Sequence, residues 1–205
     1  MALTMRTPLL LLTLAGMLSL GACAPRPKST ISAEQCIVTA AGLAANRQLD
    51  YESFDQSGTL ASTARKLSDA GCYAQAVTVG MDYLAHGPTL TDYQRNNVRW
   101  HLAQNLGMAG RDAEAAIVMS GARRGVDPTR STFDWDAYVT GSYAFLVKDR
   151  ATLDTMANRL AGSAQIGNRM NGRILHRFQK CFAEPYRIAY RDERCAAPET
   201  AAPAP

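Results

Sequence analysis

Between residues 59 and 182, apolar and small positions recur at three- and four-residue spacing in stretches of 11–18 residues, broken by Gly, Asp or Pro. No alternation of β-branched residues competes with this period, so the pattern predicts an all-α chain. Helices are expected over 59–70, 72–85, 91–109, 111–124, 134–147, 151–161 and 168–182. A short further turn is expected after Pro185, whose fixed φ suits a first helical position. Ahead of these, Ser32-Ala33-Glu34-Gln35 reads as a capping box opening a helix through about Asn46, with Cys36 in its first turn.

The punctuation is itself periodic. The stretches 64–84, 103–123 and, more weakly, 141–161 align with turns at Gly71, Gly110 and about Lys148, a period of 38–39 residues. A helix–turn–helix unit at that spacing predicts stacked hairpins, an α-solenoid with flanking helices as caps. In the second unit Leu102, Ala103, Gly110, Ala115 and Ala122 stand where small or apolar positions let two helices approach closely. The first keeps Ala64, Gly71 and Ala76 but carries Gly80, and the third keeps Gly141. On these residues the segment 60–161 resembles the tetratricopeptide repeat family, with Pro128 one place late for the terminal proline and a period longer than that family's. The resemblance implies a superhelical stack whose first helices line an inner groove. Asn97, Arg99, Gln104 and Asn105 are its polar candidates for binding an extended peptide or a partner's helix.

The beginning of the chain follows a different rule. Arg6 precedes the apolar run 8–22, whose 15 residues are too few for a membrane-spanning helix. Small residues then close the run, the layout of a secretory signal, and either Met1 or Met5 serves as its start. Leu20-Gly21-Ala22-Cys23 resembles the lipobox of bacterial lipoproteins at all four positions. That resemblance implies cleavage after Ala22 and acylation of Cys23, and Ala24 in place of Asp implies transfer to the outer membrane, facing the periplasm. The expected organisation is a signal peptide at 1–22, a lipid-anchored tether at 23–32, a helical domain at 33–195 and a Pro/Ala tail at 196–205.

Export changes how the cysteines read. Cys36, Cys72, Cys181 and Cys195 remain after Cys23 is set aside, and in an oxidising compartment two disulfides are the default. Three pairings exist, and nearest neighbours in sequence favour Cys36–Cys72 with Cys181–Cys195. Zinc is the competing use, with His176 near Cys181, but no C-x-x-C pair or common tetrahedral spacing supports it. No cofactor is expected beyond the covalent lipid.

A net charge of +4 is mild and, with export, argues against a nucleic-acid partner. The charge is concentrated: residues 168–195 hold seven Lys/Arg against three Asp/Glu, and Arg169, Arg173, Arg177 and Lys180 form a row beside Met170, Ile174, Phe178 and Phe182. The row is either the solvated face of a capping helix or a contact for anionic lipid or peptidoglycan. Tyr186 and Tyr190 are spaced to pack inward.

Nothing in the sequence points to chemistry. There is no G-x-S-x-G elbow, no glycine-rich phosphate loop and no H-E-x-x-H, and His86, His101 and His176 are scattered. Asp134 and Asp136 fall at a helix start, where acidic residues favour the dipole. The expectation is therefore a non-enzymatic, lipid-anchored scaffold or adaptor for proteins of the cell envelope. By anchor and fold it is similar to pilus and secretin assembly factors and to accessory components of outer-membrane protein assembly. An envelope-binding module acting through the basic helix is the alternative.

Overall fold

The computed structural model describes residues 36–125 and 133–196, all within the unit spanning 31–205. Cys23, the lipobox, the Ser32–Gln35 capping box, Pro128 and the tail from 197 onward lie outside the described residues.

Hairpin turns set the architecture. At Gly71, Gly110 and Lys148 the backbone enters the left-handed region, with φ of 78°, 80° and 59°. The same pair of hydrogen bonds closes each turn. The following amide reaches back five residues, from Cys72, Arg111 and Asp149 to the carbonyls of Leu67, Leu106 and Ala144 at 2.8, 2.9 and 2.8 Å. The turn residue itself donates to the carbonyl three before it. This arrangement satisfies carbonyls that a helix end leaves unpaired. Glycine meets the φ requirement twice; Lys148 meets it with a side chain, and tertiary bonds described below hold that side chain.

The helices follow from these turns. They are α1 (Ala40–Asn46), α2 (Ala64–Asp69), α3 (Tyr73–His86), α4 (Asp92–Met108), α5 (Asp112–Ser120), α6 (Trp135–Leu146), α7 (Arg150–Ala161), α8 (Ile166–Lys180) and α9 (Tyr186–Arg191). From α2 to α8 each packs on the next in chain order, and no strand occurs among the described residues. The fold is all-α, with stacked helical hairpins in a solenoid-like order. Residues five beyond each turn, Ala76, Ala115 and Leu153, are all buried, as are Tyr83, Ala122 and Leu160 twelve beyond. Equivalent positions thus fall in three core clusters, bridged by half-buried Leu84, Val118 and Leu146.

Several boundaries differ from the sequence-based expectation, each for a local reason. Among the described residues the first α-helix is α1, beginning at Ala40. Thr39 caps it, accepting from the Gly42 amide at 3.0 Å, and Cys36 precedes it. The helix expected from 59 begins only at Ala64, because Thr63 caps it and its hydroxyl also donates to the Leu60 carbonyl at 2.9 Å. Glu52–Gln56 form a π-helical turn that the hydrophobic pattern does not predict. Pro185 is the N-cap of α9 rather than its first residue.

The four remaining cysteines pair as Cys36–Cys72 and Cys181–Cys195, with Cα–Cα separations of 5.3 and 5.6 Å. The first fastens the chain entering α1 to the α2–α3 turn. Nearby, Arg47 donates through Nε and Nη2 to the two oxygens of Asp82 at 2.9 and 2.6 Å, joining α1 to α3 and holding the Asp82 carboxyl below its ordinary range.

The second disulfide closes a strap, 181–195, that crosses the turn ends of the stack. Lys148 donates to the carbonyls of Phe182 and Glu184 at 2.8 and 3.1 Å. The Tyr186 amide donates to Asp112 Oδ2 at 2.9 Å, and Arg191 Nη2 donates to the Tyr73 hydroxyl at 3.3 Å. Tyr73 and Asp112 occupy the same place, two residues past the turn, in successive units. The strap therefore follows the repeat, touching one hairpin after another. Its anchor is Tyr186, which is 1% exposed among Phe145, Phe178 and Tyr190. The ring packs closely on Gly107, where an added Cβ would come within 2.5 Å of Tyr186 Cδ1.

Candidate functional site

The sequence of α4 places His101, Gln104 and Asn105 on one side of the helix, at i, i+3 and i+4. That side faces α2 and the π-helical turn, which bring Arg65, Ser68 and Asp55. Together with Ala64 these residues line a small open pocket of about 40 Å³.

Its inner wall is a hydrogen-bonded relay. The Asp55 carboxylate, in a residue only 4% exposed, lies 2.9 and 3.0 Å from His101 Nδ1 and accepts from Gln56 Nε2 at 2.6 Å. On the other side of the ring, His101 Nε2 is 3.2 Å from Arg65 Nη2. A guanidinium has no acceptor, so Nε2 must accept and the ring proton sits on Nδ1, donated to Asp55. Arg65 Nε in turn donates to the Asp55 main-chain carbonyl at 2.9 Å. The three side chains fix one another, with the imidazole neutral between an anion and a cation.

Asp55 owes its place to the π-turn. The Ser53 amide donates to Asp50 Oδ1 at 2.8 Å, starting the turn, and the Ser57 amide closes it on the Glu52 carbonyl at 2.9 Å. Such one-turn insertions redirect side chains and recur at functional sites.

The outer wall is less saturated. Asn105 is 4% exposed yet its side chain makes no hydrogen bond with the described residues, and it lines the pocket. Its amide opens onto the pocket, where water or an entering polar group can pair with it.

The four expected groove residues thus divide. Gln104 and Asn105 line this pocket. Asn97 is buried one turn earlier and donates to the Tyr51 hydroxyl at 2.6 Å. Arg99 points away, reaching Asn96 Oδ1 at 3.3 Å and the Gly121 carbonyl at 3.5 Å. Asp55, Arg65, Ser68 and His101 were not singled out by the groove reading. The signal available for them was the clustering of His101 with Asn97, Gln104 and Asn105 on one side of α4.

The basic row is mostly engaged internally. Arg169 donates to the Ser163 and Ala164 carbonyls at 3.0 and 2.6 Å. Arg177 donates to the Asp192 carbonyl at 2.7 Å and Lys180 to the Ala196 carbonyl at 3.0 Å, so both hold the strap. Arg173 is exposed and makes no hydrogen bond or ion pair among the described residues. Asp134 caps α6, accepting from the Ala137 amide at 3.2 Å.

A second depression, of about 150 Å³, lies on another side of α4 and is apolar, formed by Met81, Leu102, Leu106, Ile117 and Val118 with Glu114 at its rim. Among the described residues no His/Cys/Asp/Glu group is arranged to hold a metal ion, and no helix is long and apolar enough to cross a membrane. No protein-family model, curated protein or solved structure matches the chain.

Proposed function

We propose that this chain is a lipid-anchored lipoprotein of the outer membrane, facing the periplasm, whose tetratricopeptide-like hairpin stack is a scaffold for another envelope protein. The lipobox resemblance at Leu20–Cys23 supplies the anchor. The paired cysteines are in keeping with an oxidising compartment. The observation that carries the adaptor reading is the pocket between α2 and α4, where the buried Asn105 side chain has no partner within the described chain. That amide opens onto the pocket, where an incoming polar group can pair with it.

Docking through the basic helix is the weaker reading. Three of its four cations already hold main-chain carbonyls, and a charge contact would have only Arg173 fully available.

The adaptor reading is tested by chemical cross-linking in intact cells, followed by recovery of the anchored chain from the membrane fraction. A discrete, reproducible adduct with an envelope protein is expected; recovery of the chain free of any adduct would overturn the proposal.

A further inference from the structure

We infer that the pocket between α2 and α4 is a receptor for a single carboxylate. The inference deepens the adaptor reading, since it names the chemistry by which a partner engages that site.

The case rests on which polar functions are already committed. Asp55 accepts from His101 and Gln56, and His101 both donates and accepts. Those groups offer little to a ligand. Arg65 is different: Nε is committed to the Asp55 carbonyl and Nη2 to His101, while Nη1 has no partner among the described residues. The Nη1 hydrogens and the second Nη2 hydrogen form an end-on fork, the geometry that grips two carboxylate oxygens at once. Asn105 adds an uncommitted amide open to the pocket, and Ser68 and Gln104, whose amide also faces the Tyr186 hydroxyl, complete the lining. The free functions are therefore mainly donors, and they call for an acceptor.

Size and charge narrow the choice. A volume of about 40 Å³ takes roughly three water-sized groups, the bulk of a carboxylate with its attached carbon. A dianion is disfavoured, because the Asp55 charge already balances Arg65 and the neutral imidazole stands between them. Asp55 and His101 act as positioning residues, holding the guanidinium so that its fork needs no reorganisation on binding.

The carboxylate can come from a chain terminus or from an acidic side chain, and the test separates them. The full chain in detergent is titrated with sodium acetate, and with sodium chloride at equal ionic strength, while the side-chain amide signals of Asn105 and Gln104 are followed by NMR. Two short peptides follow: acetyl-dialanine with a free carboxyl end, and acetyl-aspartyl-alanine amide, whose only carboxylate is the side chain. Saturable shifts with acetate but not chloride are expected, weakened at least about tenfold by Arg65→Lys, which keeps the charge and loses the fork. His101→Phe, with an unchanged melting curve, is expected to weaken binding through the misplaced guanidinium, and one of the two peptides is expected to bind more tightly than acetate. Equal shifts with chloride, or acetate binding indifferent to Arg65→Lys, would overturn the inference, as would two peptides no tighter than acetate. Acetate binding without any adduct in cells would instead remove the adaptor reading and leave the carboxylate receptor standing.

Discussion

Tyr186→Ala is expected to destabilise the domain by about 3–5 kcal/mol, the range for removing a large aromatic side chain from a closed core. Domains of this size are typically stable by about 5–15 kcal/mol, so the variant loses a large share of its margin. The expectation comes from where the ring sits. Tyr186 is the point at which the strap enters the stack, against Gly107 of α4 and between the rings of Phe145 and Phe178. Deleting the ring leaves a void between three elements joined to different hairpins, which cannot all relax inward together. Denaturant unfolding with the disulfides intact measures it, and Tyr190→Ala, at a half-buried position, is expected to cost less. A change below about 1 kcal/mol for Tyr186→Ala would mean that the strap is not part of the cooperative core.

The second large effect is on placement rather than stability. Cys23→Ser is expected to leave an uncleaved precursor without acyl chains, and the protein is expected to leave the outer-membrane fraction. Each buried methylene of an acyl chain contributes about 0.8 kcal/mol to membrane binding, and stable anchoring takes more than one chain. Losing all of them is therefore close to all-or-none. A normally sized mature protein still found in the outer membrane would contradict the lipobox reading.

How much the sequence disclosed varied with the kind of interaction. Gly71 and Gly110 were legible because a left-handed turn selects glycine, and Lys148 was legible only by alignment with them. The nearest-neighbour cysteine pairing matches the bonded pairs, because the α2–α3 turn and the strap bring each pair together. The π-turn at Glu52–Gln56 was not legible, since an i+5 bond imposes no apolar period of its own. His101 looked isolated because its partners, Arg65 and Asp55, are 36 and 46 residues away in the chain. The basic row was visible as spacing. Its acceptors were not, because the Asp192 and Ala196 carbonyls belong to the main chain and carry no residue signature.

The strap and the pocket occupy different parts of the stack. Tyr73, Asp112 and Lys148 hold the strap across the turn ends, while the polar pocket opens between α2 and α4. In the pocket, the Asp55 carbonyl and His101 hold the Arg65 guanidinium in place, a condition for recognising a small charged group under the proposed reading.

The most direct measurement is site-specific photo-cross-linking in intact cells from position 104, compared with position 117, where Ile117 is 74% exposed on α5. An adduct with one envelope protein from position 104, diminished by Arg65→Lys in the same chain, is the result the scaffold account predicts. No adduct from 104, with an adduct forming from 117 instead, would place the partner on the apolar α3–α5 side and contradict it.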